Sequence, residues 1–238
     1  MTTPTADSSP AVPYGTPDAP RIAVRGEARL EVDPEIARIG VTVAARGKDR
    51  RTALDDLTRR NTTVLDLIKT YGDAVERLET GSFSITPELK EKGRGERIHA
   101  YHGRVRITAE LTDFTALGEL TTRIADLDLT HVDGPWWALR PNSPAYRNAR
   151  QQAVREAVQR AQEYAEALGT TLAALVELAD IGAENAQPLA PAAPGGRMRS
   201  MSYAAAEDTA AAPLDLEPQR QHVYAQVNAR FTMHPPQL

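Results

Sequence analysis

The stretch NSPAYRNARQQAVREAVQRAQEYAEALG, residues 142–169, decides how the rest of the chain is arranged. It predicts one long helix, because Ser143 can cap the first turn, Pro144 suits the first helical position, and Gly169 is a typical left-handed terminator. Alanine recurs at every fourth position through the stretch. Side chains four apart form a ridge along one helix surface, and a ridge of methyl groups lets another backbone approach closely.

This alanine ridge admits two interpretations. It can pack against the protein's own β-sheet, or it can form a groove for a partner helix. We expect the first, because the surrounding chain is rich in segments that predict strands.

Most of those segments alternate apolar and polar residues, and two further helices separate them. The predicted strands are residues 22–32, 37–43, 77–86, 101–111, 129–139, 171–181 and 223–233, and the further helices are 48–71 and a short one capped by Asp113. A turn at Asp33-Pro34 predicts that the first two strands form a hairpin. The fold class expected is α+β, a two-layer arrangement in which helices pack on one face of an antiparallel sheet.

The domain organisation follows from composition. Residues 1–19 are rich in proline and small polar residues and predict a disordered tail, since they cannot bury enough surface to offset chain entropy. One domain is expected over 20–234. Within it, the alanine- and proline-rich stretch 184–218 predicts a mobile loop, and the charged stretch 87–96 predicts a hairpin tip.

Composition excludes several functional classes. The 238 residues contain no cysteine, so disulfides, thiolate zinc sites and cysteine nucleophiles are excluded. The net charge of −4 is spread along the chain, without the basic footprint of a nucleic-acid binder. A local basic strip exists, but acidic residues interleave with it, so we do not predict nucleic-acid binding. The strip is Arg94, Arg97, Arg104 and Arg106, and the acids are Glu91, Glu96 and Glu110.

The N-terminus bears on cellular location. It has no basic start and no apolar run of the kind that secretory signals contain. No apolar stretch approaches the roughly 20 residues that a membrane span requires. These features predict a cytoplasmic protein without a membrane span.

The histidines and the short motifs of the chain bear on catalysis and metal binding. His99 and His102 are three apart on a predicted strand and therefore point to opposite faces, which argues against a shared metal site. The sequence has no H-E-x-x-H, G-x-S-x-G or P-loop motif. We therefore predict no catalytic, cofactor-binding or metal-binding residue, no cofactor, and a protein that is not an enzyme.

Two adjacent tryptophans are the candidate interaction residues. Trp136 and Trp137 lie on one predicted strand and must face opposite sides of the sheet. The pattern places Trp136 on the face of Val132, Gly134 and Ala138. One tryptophan should belong to the core, and the other is either a ligand platform or a subunit contact.

The opening VRGEARLEVDPEIARIGVTV resembles the start of proteins of the SIMPL family, which carry a V-x-G-x-G-x-x-x-V-x-P-D-x-A-like pattern. The matching positions are Val24, Gly26, Val32, Pro34 and Ala37, while Ala28 and Glu35 depart from it. The segment AYHGRVRITAELTDFTALGEL is similar to the family's G-Y-x-A strand and the short helix after it; Tyr101 matches and Ala100 replaces the glycine. The alanine-ridged helix, the variable loop and the final strand also correspond, so the resemblance covers residues 21–234.

This resemblance implies an α+β fold with no established enzymatic activity and no catalytic residues to transfer. It also implies bacterial relatives in the periplasm or associated with the outer membrane, one of them a large ring-like or channel-like oligomer and one linked to oxidative-stress tolerance. A mammalian relative is an adaptor for an innate-immune kinase.

Three functional hypotheses follow. The first is a non-enzymatic protein that forms a homo-oligomer, at least a dimer, and acts in stress protection or as a scaffold; the sequence names no other protein partner. The second is a small-molecule binding module that uses an exposed tryptophan and the 184–218 loop. The third is an enzyme with an unrecognised site.

Overall fold

The strands and helices follow the expected order along the chain. The computed structural model describes residues 15–90, 97–181 and 212–237. The strands are β1 (Arg21–Val32), β2 (Ile36–Gly47), β3 (Val75–Lys90), β4 (Arg97–Leu111), β5 (Thr130–Ala138), β6 (Leu172–Asp180) and β7 (Gln221–Met233). The helices are α1 (Arg50–Lys69), α2 (Phe114–Ala125) and α3 (Pro144–Ala167), with a short 3-10 turn at Gly72–Ala74. The predicted α+β class with antiparallel pairing is confirmed.

Local capping explains where the helices begin. The Asp49 carboxylate accepts a hydrogen bond from the Thr52 backbone N–H at the start of α1. Asp113 does the same for α2, and the Ser143 hydroxyl accepts from the Ala145 N–H at 3.2 Å at the start of α3. Such side chains satisfy N–H groups that have no partner within the helix.

The strands lie in two sheets rather than the single sheet expected. One sheet has the order β1-β7-β6 and the other has the order β3-β4-β2-β5. The chain divides into two compact units accordingly. Unit 1 contains β1, α3, β6 and β7, and unit 2 contains β2 to β5, α1, α2 and the described segment from Ala212 to Gln221. The expected 20–234 domain thus comprises two compact units.

The predicted β1–β2 hairpin is wrong. β1 pairs with β7, whereas β2 is a central strand that pairs with β4 on one side and β5 on the other. A short turn such as Asp33-Pro34 favours a hairpin locally. Here it joins strands of different sheets, because the apolar, almost fully buried β2 is enclosed by β4 and β5.

The core of unit 1 is built on the alanine ridge. Every alanine of the ridge is buried, and the ridge packs on β1 and β7. At Gly26 the contact is so close that an added Cβ would lie 1.9 Å from the Ala153 carbonyl oxygen and 2.7 Å from the Ala157 Cβ. This contact confirms the interpretation that the ridge packs against the protein's own sheet.

The core of unit 2 is built from larger side chains. Helices α1 and α2 cover one face of the four-stranded sheet, and most of the leucine, isoleucine and valine side chains on their inner faces are buried. The fully buried side chains include Ile39, Val41, Leu57, Ile68, Ile107, Leu117, Leu120 and Ile124. Leu54 of α1, by contrast, is 41% exposed.

The end of the predicted mobile loop packs against unit 2. The Leu214 N–H donates to the Thr122 hydroxyl at 3.0 Å, and the Leu214 carbonyl lies so close to Gly118 that an added Cβ would be 2.2 Å away. Leu216 packs against the core. Residues 212–218 thus form an irregular segment with contacts at Leu214 and Leu216, and the mobility of the loop stays a prediction. The rest of that loop, most of the 1–19 tail and the hairpin tip from residue 91 to 96 lie outside the described residues.

Candidate functional site

The two tryptophans occupy opposite faces of the sheet of unit 2. Trp137 lies opposite Ala37 on the helix-covered face, and its ring meets Phe114 edge-on with centroids 4.8 Å apart. Trp136 lies opposite Arg38 and is 47% exposed. Trp137 is therefore the tryptophan of the core. The interaction role of Trp136 stays a prediction.

A bulge explains why the alternation placed Trp136 on the wrong face. The register between β2 and β5 shifts between Arg38 and Gly40. As a result, Val132 and Trp137 lie on the same helix-covered face although they are five residues apart. Val132 is opposite buried Val41, and Trp137 is opposite buried Ala37. A bulge inserts one residue and reverses the alternation beyond it.

Two glycines seat the Trp136 ring on the outer face. A Cβ added at Gly40 would lie 3.4 Å from the Cη2 and Cζ3 atoms of Trp136 and 3.0 Å from Nη2 of Arg106. A Cβ added at Gly134 would lie 3.4 Å from Cε3 of the same ring, and the φ of +111° at Gly134 suits glycine. The ring therefore rests against backbone, and Arg106 reaches the same place.

Charged side chains surround the ring in oppositely charged groups. Arg38 Nε donates to Glu110 Oε1 at 2.9 Å. Arg106 Nη2 is 3.9 Å from Asp133 Oδ2, and His131 Nε2 is 2.9 Å from Asp133 Oδ1. We call the set Trp136, Arg38, Gly40, Arg106, Glu110 and Asp133 the Trp136 face. It places two guanidinium groups and two carboxylates on the same face of the sheet as one exposed indole.

The predicted basic strip is only partly described. Arg104 and Arg106 project from the outer face of β4. Arg94 and the side chain of Arg97 lie outside the described residues. Arg106 faces the carboxylate of Asp133. In this part of the strip, acidic and basic side chains therefore lie next to each other, as the sequence suggested.

His99 and His102, the two histidines considered for a metal site, have different surroundings. His102 Nε2 lies 2.7 Å from Glu88 Oε2, which Arg46 also contacts at 2.8 Å, whereas His99 is exposed. The hydrogen bonds from His102 and then Arg46 lower the pKa of Glu88. Over the described residues, no group of three or more histidines and carboxylates is placed to hold a metal ion.

The perturbed carboxyl groups do not resemble an acid–base pair. Hydrogen bonds from Arg140 lower the pKa of Glu76, those from Arg60 and Arg59 lower the pKa of Asp56, and those from Thr52 lower the pKa of Asp49. A lowered pKa keeps a carboxyl ionised at neutral pH, whereas a general acid needs a raised one. These groups therefore stabilise ion pairs and helix caps.

A second notable surface is the outer edge of unit 1. We call β6, with its exposed Leu175, Val176 and Leu178, the β6 edge. Leu175 lies opposite Phe231 and Leu178 opposite Ala229, so both belong to the apolar face that α3 covers elsewhere. They nevertheless remain 55% and 46% exposed. The sequence predicted a strand here but not its position at an edge.

The other three sheet edges carry features that discourage pairing. β1 presents a row of exposed charges, β3 contains Pro87 and several register shifts, and β5 contains Pro135 and a register shift. The charges on β1 are Arg21, Arg25, Glu27, Arg29 and Glu31. Charges, prolines and bulges are devices that blunt an edge. β6 also has two register shifts against β7, between Leu172 and Ala174 and between Leu175 and Glu177, but it contains no proline. Its carboxylates are Glu177 and Asp180, of which Glu177 pairs with Arg230.

None of the helices in the described part of the chain is both long and apolar enough to cross a lipid bilayer.

Comparison with known proteins identifies a family. A profile of the SIMPL family, described as a protein of unknown function (DUF541), matches residues 22–231. The 26 kDa periplasmic immunogenic protein of Brucella melitensis biotype 1 is 26% identical over 195 residues, which cover 79% of this chain and 76% of that protein. The protein of the same name from Brucella abortus (strain S19) matches with the same identity and coverage.

More distant similarities extend the comparison. Uncharacterized protein YggE of Edwardsiella ictaluri is 22% identical over 157 residues, 66% of each chain. A solved structure of a provisionally assigned amidohydrolase/peptidase from Burkholderia cenocepacia aligns with a TM-score of 0.23 and 13% identity, over 57% of this chain and 34% of that one. This chain thus spans about a third of that structure's chain, and a similarity of this size carries no argument about activity.

Proposed function

The chain belongs to the SIMPL family, and from this premise we propose that it acts without catalysis, by associating with further copies of itself through the β6 edge. The observation that carries the proposal is an edge strand without a proline that exposes three large apolar side chains. An edge strand presents unpaired N–H and C=O groups to any strand that can align with it.

Association through β6 has a physical driving force. A second β6 would pair its backbone with the first and cover Leu175 and Leu178, which α3 leaves half exposed. Burying a leucine side chain completely contributes about 1.5–3 kcal/mol, so covering the exposed half of two per subunit supports a dimer. A two-fold contact of this kind closes on itself.

We attach the scaffold or stress-protection role to the assembled form. For location, the relatives named periplasmic favour the periplasm for this chain over the cytoplasm that its N-terminal composition suggests. Fractionation of bacteria that produce the natural full-length protein, followed by immunoblotting beside periplasmic and cytoplasmic markers, distinguishes the two. Recovery with the cytoplasmic marker would contradict the periplasmic proposal.

Light scattering coupled to size-exclusion chromatography tests the association. The natural chain at tens of micromolar should elute with at least twice the 25.9 kDa mass of one chain. The variant that combines Leu175→Lys with Leu178→Lys should elute with the monomer mass, because association through β6 would bury two charges in each subunit. Circular dichroism should show that the fold is retained.

A matched variant controls for the loss of exposed apolar residues. Tyr164→Lys combined with Leu168→Lys also replaces two exposed apolar side chains of unit 1, but on α3 rather than on an edge strand. It should leave the mass unchanged. If Trp136→Lys dissociates the assembly while the β6 variant does not, the contact lies at Trp136 and the β6 proposal is wrong.

A further inference from the structure

The Trp136 face is built as a shallow platform with a small-residue floor. On the outer face of the unit 2 sheet, Gly40 of β2 lies opposite Thr108 of β4, and the next outward position is Thr42. These short side chains lie on the same outer face as the Trp136 ring. Gly40 is buried because Trp136 and Arg106 lie against it.

The indole of Trp136 is held in one place yet half of it remains accessible. Its six-membered ring contacts the backbone at Gly40 and Gly134, and the residue is 47% exposed. An aromatic ring that is already positioned loses little conformational entropy when a ligand packs on it. An exposed tryptophan held in this way is suited to binding rather than to folding.

The charges of the platform favour a ligand without net charge. Arg38 is matched by Glu110, and Arg106 faces Asp133, which also contacts His131. A strongly anionic or cationic ligand would have to compete with one of these partners. A neutral ligand can instead donate to the free lone pairs of the carboxylates and accept from the remaining N–H groups of the guanidinium groups.

We propose that the Trp136 face binds a pyranose ring of a neutral glycan. A pyranose has one side of C–H groups, which packs on the indole, and a rim of hydroxyls that both donate and accept hydrogen bonds. Glu110 and Asp133 accept from the hydroxyls, and Arg38 and Arg106 donate to them. The binding is non-covalent and does not depend on the association proposed for the β6 edge.

The test uses the full chain and three defined neutral trisaccharides: cellotriose, maltotriose and the N-acetylglucosamine trimer. Binding is followed by calorimetry, and by fluorescence in a Trp137→Phe background, where Trp136 is the single indole. At least one trisaccharide should bind with a Kd below about 1 mM and change the emission of Trp136. Trp136→Ala should weaken that binding about tenfold or more, and Trp136→Phe should restore part of it.

Two further variants separate the site from general damage to the fold. Glu110→Gln keeps the shape of the side chain and should weaken binding about threefold or more, since it removes a charged acceptor. Tyr224→Ala removes another exposed aromatic, in unit 1 and 63% exposed, and should leave the Kd within about twofold. Circular dichroism establishes that each variant is folded.

Three outcomes would overturn the proposal. One is the absence of heat and emission change with all three trisaccharides at about 10 mM. Another is binding that folded Trp136→Ala and Glu110→Gln leave unchanged. The third is a Trp136→Ala protein that loses oligomer mass but binds each trisaccharide as the natural chain does, which would make Trp136 a subunit contact. Dissociation by the β6 variant with glycan binding intact supports both proposals separately.

Discussion

The two units of this protein solve the same packing problem with different side chains. Unit 1 lays one helix on three strands through methyl groups, while unit 2 covers four strands with two helices that contribute leucine, isoleucine and valine. Alanine lets the helix approach the strands closely, but each alanine removes little apolar area from water. Hydrophobic stabilisation is proportional to that area, at roughly 25 cal/mol per Å². The stability of unit 1 therefore depends on the close fit of helix and strands, whereas the stability of unit 2 depends on the apolar area that it buries.

This difference has a consequence for association. The single alanine-ridged helix packs on β1 and β7 but leaves the leucines of β6 half exposed. In unit 2 the apolar face of the central strands β2 and β4 is almost completely buried. The less covered unit is thus the one that carries the apolar edge, and we expect the contact between copies there.

Truncation of a large core side chain in unit 2 should have the largest effect on stability. Leu120 lies on the buried face of α2 and is fully buried. Leu120→Ala should lower the free energy of unfolding by about 2–5 kcal/mol, from lost transfer energy and a residual cavity. Urea unfolding measures this change. A cost below about 1 kcal/mol would contradict the dependence of unit 2 on buried area.

Enlargement of the ridge in unit 1 should have the next largest effect. Ala157→Leu adds volume where the helix meets Gly26, so it should cost about 1–3 kcal/mol through overpacking. Gln159→Leu, at an exposed position of the same helix, is the control and should change stability by less than about 0.5 kcal/mol. If urea unfolding gave equal losses of stability for the two variants, the alanine ridge would not be in close contact with β1.

The same contact can be tested from the strand side. Gly26→Ala adds one methyl group, which cannot stay 1.9 Å from the Ala153 carbonyl, so α3 and β1 must separate. We expect a cost of about 1–3 kcal/mol and faster amide exchange in α3 than in α1. Hydrogen exchange read by mass spectrometry resolves the two helices. Unchanged exchange in α3 would contradict the close approach.

Acid should affect unit 2 through its ion pairs, with a smaller effect. The pKa values of Glu76 and Glu88 are lowered in the folded state by Arg140 and by His102 with Arg46. A lowered folded pKa means stability that is present above the ordinary carboxyl pKa and is lost as pH falls through the folded value. Glu76→Gln should therefore flatten the decline of Tm below about pH 4. An unchanged decline would show that the pair with Arg140 contributes nothing to stability.

Sequence alone was informative where structure is set by neighbouring residues. The Asp113 and Ser143 caps of α2 and α3, the alanine ridge and the alternation along β4 and β7 follow from local chemistry, and the sequence predicts each of them. The Asp49 cap of α1 is local as well, but it was not predicted. The pairing of β1 with β7 was not, because the turn at Asp33-Pro34 gives a local preference that strand partners distant in sequence override.

The candidate site was predictable only in part. Two adjacent tryptophans must face opposite ways, but the bulge between Arg38 and Gly40 decides which one faces outward. Gly40 and Arg106 could not be assigned to the site, since their places beside Trp136 depend on the register of three strands. The segment 212–218 is irregular, as its composition indicates, but the contacts of Leu214 and Leu216 could not be predicted because they involve residues distant in sequence.

The mass of the full chain in solution tests the central claim most directly. Light scattering at tens of micromolar should give at least twice 25.9 kDa for the natural chain and for the Tyr164→Lys, Leu168→Lys control. It should give the monomer mass for the folded Leu175→Lys, Leu178→Lys variant. A monomer mass for the natural chain, or an unchanged oligomer in the β6 variant, would contradict the account.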